Sequence, residues 1–364
     1  MELVHVLAVF RHGDRSPITG AVGTMLKMSE GDTAYWISQL ASESSRRRLN
    51  ALVAVHGSDS DAPPPMPGGV WPKGHLTEQG VADMERRGRA FRRRYQVFLA
   101  NINIHDVVYA TSTNIRRTIL SAQSFLAGLC HDIVGLTSDN PFVLHTVDPK
   151  ELTPILTGHD YRQGAQHARE VALSTLPGYK ALEDAVKDVL GIRGVVNWAS
   201  LREVLDCLQA HELPLPNGMT TAMYESIVRH AAWEWYMFYS DVQRGQRGFL
   251  LAMRTFQSLL SDAIEMAPQR RRLTLVSAHD NSLVALVCAL QLHHSSGIIA
   301  PSYGSMLVVE VYRDNRDGSH HVDVHWDGKP LRFPNQTTSL VHIQVLHAAI
   351  ASFVQAHSPA HSSI

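Results

Sequence analysis

Cysteine is scarce. Cys130, Cys207 and Cys288 are the only three in 364 residues, isolated and odd in number, which argues against a disulfide framework and shows no zinc-type spacing. Long apolar runs are missing as well: stretches such as SLVALVCAL at 282–290 fall well short of the roughly 20 residues that a membrane span needs. Neither sign of charge dominates, with 33 Lys and Arg against 34 Asp and Glu for a net −1. The global balance therefore favours neither nucleic acid nor an anionic membrane as a partner, and any anion recognition must be local. No basic stretch, apolar core and small-residue cleavage site precedes the first apolar run, so no signal peptide is read. As it stands the chain is expected in the cytoplasm, or in a secreted or lysosomal setting if it is a trimmed mature form.

What is present is a globular composition, 45% apolar and 18% charged, on a chain long enough for more than one structural unit. Short valine-rich runs alternate with longer helical periodicities, which predicts an α/β fold with helices on both faces of a sheet. LVHVLAVF at 3–10 has the continuous apolar character of a central strand, and so does RLTLVSA at 272–278. From Thr77 onward, Val81, Met84, Gly88, Phe91 and Tyr95 recur at helical spacing, leaving the arginines among them on a solvated face. Further strands are expected at 106–110 and 141–147, with a helix opening at Ser112–Asn114, whose short polar side chains suit an N-terminus. SMLVVEVYR and SHHVDVHW, joined by DNRDG, predict a hairpin and hence a mixed sheet. A last amphipathic helix is expected at 339–356. Residues 57–69 are proline- and glycine-rich loop. The division that follows is an α/β catalytic core from 1–17, 71–147 and 240–364, an insertion at 18–70 near the active-site entrance, and a helical cap subdomain at 148–239.

The chemistry concentrates where two of the apolar strands end. RHGDR follows the first, and HDN follows the strand at 272–278, and ligands of open α/β sheets bind beyond the carboxyl ends of strands. Arg11 and Arg15 offer forked donors that match phosphate oxygens and stay charged at any working pH. His12 between them is disfavoured as a cation, leaving a neutral ring nitrogen free to attack. A nucleophile amid phosphate clamps implies phosphoryl transfer, whose slow uncatalysed rate calls for several cations around one group, and IRRT supplies Arg116 and Arg117. Asp280 could give the leaving group its proton while His279 donates to a phosphoryl oxygen. Each fragment has a plainer reading, since a His-Asp pair is commonly a buried contact. His321, Asp323 and His325 fall on one strand face and could bind a metal, although alternation with Val322, Val324 and Trp326 reads simply as a wet face. Asp14 receives no catalytic role, only that of orienting a neighbouring arginine or the loop.

FRHGDRSP at 10–17 resembles the signature of the histidine acid phosphatases, the second branch of the histidine phosphatase superfamily. WPKGHLTEQG at 71–80, VYATSTNIRRTILSAQSFLAGL at 108–129, SAHDNSLVAL at 277–286 and PSYGSMLVVEVY at 301–312 resemble further segments of that family, in order. The resemblance implies a phosphoglycerate mutase-like core with a helical cap, and a metal-independent acid phosphatase that hydrolyses phosphomonoesters through a phosphohistidine. Position by position it implies His12 as nucleophile, Arg11, Arg15 and Arg117 as phosphate ligands, His279 as the second pocket histidine, and Asp280 as proton donor. No metal or organic cofactor is expected, the substrate is a small phosphomonoester, and a homodimer is compatible with the family. An acidic optimum is linked to the need for a protonated Asp280 beside an unprotonated His12. Phytase and lysophosphatidic acid phosphatase activities are the alternatives within the family, and a catalytically silent phospho-ligand binding module is the alternative outside it. The chain departs from the pattern at Thr111 and Arg116, where relatives commonly carry an arginine and an aspartate.

Overall fold

The first apolar run folds as β1 (Glu2–Arg11), in the interior of a nine-stranded mixed sheet. The computed structural model describes residues 1–57, 71–100, 103–131, 139–155, 157–265, 271–298 and 300–358, so most of the expected 57–69 loop lies outside the described residues. After β1 come α1 (Glu30–Gln39), α2 (Glu43–Leu52), β2 (Val53–His56), α3 (Glu78–Arg94), β3 (Val108–Thr113), α4 (Arg116–Leu129) and β4 (Phe142–Val147). Four helices follow: α5 (Gly158–Thr175), α6 (Tyr179–Leu190), α7 (Trp198–Ala210) and α8 (Thr221–Ser240). The chain then returns through α9 (Leu250–Glu265), β5 (Leu273–Ala278), α10 (Asp280–Ala289), β6 (Met306–Arg313), β7 (His320–Trp326), β8 (Lys329–Leu331), β9 (Val341–His342) and α11 (Ile343–His357).

Strand order is β8-β7-β6-β1-β5-β3-β4-β2, with β9 against β7. The pairs from β1 through β2 are parallel, and those from β1 through β8 are antiparallel. Successive residues of a strand face opposite sides, so a strand covered on both faces is mostly apolar, with few buried polar residues such as His5, Thr274 and Ser277. Leu7 and Val9 belong to a core shared with α9, α10 and α11. Val6, Ala8 and Phe10 belong to a second core under α3 and α4. Burying a side chain such as Phe10, 1% exposed, contributes roughly 1.5–3 kcal/mol. The helices α3 and α4 cross closely at Gly88 and Gly128, where an added Cβ would overlap the backbone carbonyl of Phe125 or of Glu85.

A third core lies in the helical block, and it contains Trp36 of α1 together with Trp198, Leu201, Val204 and Leu205 of α7. The segment at 18–70 is therefore divided: α1 joins the helical block, while β2 pairs in parallel with β4 as the sheet edge. That strand is four residues long, too short to show a period. Other boundaries moved as well. Residues 104–107 form a helical turn ahead of β3, and the final helix starts at Ile343 because Val341–His342 pairs with β7. The helix expected to open at Ser112–Asn114 begins at Arg116 instead, since Ser112 and Thr113 extend β3 and their hydroxyls bond elsewhere. Among the described residues no helix is long and apolar enough to cross a membrane.

Candidate active site

Parallel pairing of β1 with β5 puts Arg11 opposite Ala278, so the residues that follow the two strands emerge side by side. The His12 amide donates to the Ala278 carbonyl at 3.1 Å, which sets His12 next to His279, with ring centroids 5.7 Å apart. β3 is the next strand over and brings Thr113 and the start of α4 to the same end. The structure thus gathers Arg11, His12, Arg15, Arg117, His279 and Asp280 from three chain-distant loops.

Gly13 makes the turn at the centre possible. A Cβ there would lie 2.8 Å from Met84 Cγ and 2.9 Å from the Gly80 carbonyl, so the loop can pack onto α3 only without a side chain. Its amide donates to Ser121 Oγ at 2.9 Å, and that hydroxyl donates to the Arg117 carbonyl at 2.6 Å, fastening the loop to α4.

His12 Nδ1 is 2.8 Å from the Gly13 carbonyl, an acceptor only, which assigns the ring proton to Nδ1 and leaves a lone pair on Nε2. Burial, then the guanidinium groups of Arg117, Arg15 and Arg11 and the ring of His279, hold the imidazolium well below its ordinary range. The neutral ring is thereby favoured over the imidazolium. His279 is depressed for the same reasons, burial first and Arg117 next. Its Nδ1 sits 3.4 Å from Arg117 Nη2 and its Nε2 3.1 Å from Thr113 Oγ1, a hydroxyl that can accept or donate. A guanidinium only donates, so Nδ1 accepts from Arg117, the ring proton is on Nε2, and the Thr113 hydroxyl accepts it.

Arg11 is held on several sides: Nη1 donates to the Pro301 carbonyl at 2.6 Å, Nη2 pairs with Asp280 Oδ2 at 3.0 Å, and the guanidinium lies 4.4 Å over the Tyr303 ring. Arg15 Nη1 bonds Glu203 and the Ser16 carbonyl. Among the described residues the Nε atoms of Arg11 and Arg15 are buried without a hydrogen-bond partner, donors left over that an anion would satisfy. Burial works to raise the carboxyl of Asp280, but Arg11 above all, then Arg202, Arg15 and His279, hold it down at about 2.

The sequence profile of the histidine phosphatase superfamily (branch 2) matches residues 2–327. The chain belongs to that family. It is a phosphoric monoester hydrolase of the histidine acid phosphatase type. It is 26% identical to the prostatic acid phosphatase of Rattus norvegicus over 371 aligned positions, 93% of this chain and 83% of the relative. Over 354 positions it is 25% identical to the lysosomal acid phosphatase of Xenopus laevis, covering 92% and 71% of the two chains. Among solved structures, the apo form of Hafnia alvei phytase superposes with a TM-score of 0.66 at 15% identity, covering 98% of each chain. The phytase of Citrobacter braakii gives a TM-score of 0.64 at 14% identity over 97% of this chain and 98% of that one. These two likenesses bear out the α/β fold.

Several residues of this phosphatase site were not singled out from sequence. Tyr303 lies against both Arg11 and His12, 6.1 Å from the latter ring, and the Gly304 amide donates to the His12 carbonyl. Arg202 and Glu203 come from α7: Arg202 Nη2 donates to the Pro301 carbonyl at 3.0 Å, and Glu203 accepts from Arg15. SLREVLDCLQA offers no local signal for these roles, because nothing in a helical period says which loop its polar face will meet.

Among the described residues Asp14 bonds no arginine, and of its two expected roles it is the loop that it holds. Its Oδ2 accepts from the Thr77 hydroxyl and from His211 Nε2 at 2.7 Å, so it ties the catalytic loop to the start of α3 and the end of α7. The face carrying Asp323 and His325 is not simply wet. The His325 side chain, 12% exposed, lies 3.4 Å from both Glu310 Oε2 and Asp323 Oδ2, and Glu310 also accepts from Tyr95, Tyr312 and Arg94. Among the described residues no three His, Cys, Asp or Glu side chains are grouped as metal ligands.

Proposed function

We propose that the six gathered side chains divide a two-step phosphoryl transfer among them. Arg11, Arg15 and Arg117 surround the phosphoryl oxygens, and His12 attacks phosphorus through Nε2. The Nε2–P bond forms as the P–O bond to the leaving group breaks, and the leaving oxygen takes a proton from Asp280. Water then attacks phosphorus, the N–P bond breaks back to His12, and the water proton returns to Asp280. His279 lines the same pocket beside His12, its Nδ1 accepting from Arg117 and its Nε2 proton directed to Thr113 Oγ1, so that it helps to set the Arg117 guanidinium where charge accumulates. The helical block at 148–239 acts as a cap, since α7 closes one side of this site.

The observation that carries the reading is the geometry of His12: Nδ1 is committed to the Gly13 carbonyl, which leaves the lone pair on Nε2, and burial beside three guanidiniums disfavours the imidazolium. Replacing His12 with alanine is expected to lower kcat on an aryl phosphate by about 10⁴-fold or more, as removal of a nucleophile does elsewhere. Wild-type protein mixed briefly with ³²P-labelled substrate should retain an acid-labile phosphoryl group. Near-normal turnover by the alanine variant, or an unlabelled wild type during turnover, would refute the assignment.

A further inference from the structure

α7 meets the catalytic loop with a stripe at four-residue spacing, Glu203, Cys207 and His211. Glu203 Oε1 accepts from Arg15 Nη1 and, at 2.7 Å, from the amide of Ile18. Cys207 Sγ lies 3.9 Å from the same Nη1 and 3.1 Å from the Tyr303 hydroxyl. His211 holds Asp14. The Glu203 carboxylate is itself 13% exposed, so two donors and its surroundings fix it.

The distribution of bonds on Arg15 is one-sided. Nη1 donates to Glu203 and to the Ser16 carbonyl at 3.0 Å, while Nε is buried and has no hydrogen-bond partner among the described residues. A guanidinium is planar and rigid, so holding one terminal nitrogen to a fixed carboxylate sets the plane and direction of its opposite edge. An arginine free to rotate about its last bonds would have to be immobilised each time phosphate bound.

We propose that Glu203 is a positioning residue for the phosphate site: from the helical block it anchors Arg15 by Nη1, so that the Nε edge faces the phosphoryl group. The inference rests on the reading of Arg15 as a phosphate ligand. Glu203 itself touches no substrate. Its effect is expected to be greatest where geometry matters most, at the five-coordinate arrangement of the transition state rather than at tetrahedral phosphate.

The test compares Glu203→Ala and Glu203→Gln with wild type, using competitive inhibition by orthovanadate, which adopts five-coordinate geometry, and by inorganic phosphate. Glu203→Ala is expected to raise the vanadate inhibition constant roughly 30-fold, below the 10²–10³ typical of losing a donor outright. The phosphate constant should move by no more than about threefold, and kcat should fall with KM little changed. Glu203→Gln keeps an acceptor for Arg15 and Ile18 and should recover vanadate binding to within about threefold of wild type. Equal weakening of vanadate and phosphate would overturn the proposal, as would an unchanged vanadate constant in a variant with lowered Tm. Tighter phosphate binding in both variants would show Glu203 to be a competitor of phosphate and would also overturn it. If wild type itself neither turned over aryl phosphate nor bound vanadate, the functional reading would be the one to fail.

Discussion

Asp280→Asn tests how the leaving group receives its proton. With Arg11 Nη2 at 3.0 Å, the Asp280 carboxyl is held down at about 2. At pH 5, three units higher, only about one molecule in a thousand carries the proton, a cost of roughly 4 kcal/mol against general acid catalysis. On the proposed assignment the free enzyme thus holds Asp280 as a carboxylate, and a protonated substrate is the source of the proton that it relays. A phosphate monoester has its second ionisation near pH ~6, so below that it binds as a monoanion with one proton to give. Once the phosphoryl oxygens engage Arg11, the hold of that guanidinium on Asp280 weakens and the carboxyl rises towards its ordinary range. On the proposed assignment the monoanion's proton then passes to Asp280 and on to the leaving oxygen. kcat/KM is expected to fall as pH rises above about 6, with the substrate supplying that limb rather than a free-enzyme carboxyl.

The asparagine variant cannot relay a proton. For an alkyl phosphate, whose alkoxide is a poor leaving group, the loss in kcat/KM should reach ~10²–10⁴-fold. For p-nitrophenyl phosphate, whose phenolate leaves without help, the loss should be at least about tenfold smaller. Steady-state kinetics on both substrates from pH 4 to 8 decide the matter. Equal losses on the two leaving groups would show that Asp280 acts through its charge alone, and a wild-type kcat/KM that climbed steadily from pH 5 to 8 would refute the relay.

Two further substitutions probe the scaffold. Gly13→Ala places a methyl 2.8 Å from Met84 Cγ and 2.9 Å from the Gly80 carbonyl, so it should cost about 1–3 kcal/mol in urea unfolding and displace His12, with activity falling more than stability. Unchanged activity would mean the loop tolerates the shift. His325→Gln removes a ring raised to about 9 by Asp323 and Glu310, while Glu310 is depressed to about 2, burial opposing and His325, Tyr95 and Tyr312 prevailing. The raised histidine stabilises fully below its unfolded value near 6.5 and loses this as pH climbs through 9; the depressed carboxylate stabilises above about 4.5 and loses this as pH falls through 2. The variant should therefore lose about 1–2 kcal/mol between pH 4.5 and 6.5, allowing for solvent at a partly open cluster, and converge with wild type above pH 9. A pH-independent difference would refute the ion-pair account.

What could be read from the sequence divides along a physical line. β1 and β5 were legible because burial on both faces favours runs rich in apolar residues without a period-two alternation, and His12 and His279 because a strand's carboxyl end is where an α/β sheet exposes its loops. Thr113 was misread as a helix cap, since a short hydroxyl side chain looks the same whether it accepts from an amide or turns towards His279; only the register of β3 on β5 distinguishes them. The His325 face was misread because period two reports only which way a side chain points, not that Tyr95 and Arg94 of α3 would cover it. Glu203 had no signal at all. It lies 188 residues from Arg15, on a helix whose apolar face was fully accounted for by its own core. The partners of a charged group are chosen by tertiary closure, so the chemistry of His12 could be argued from five adjacent letters, whereas what holds Arg15 in place for it could not.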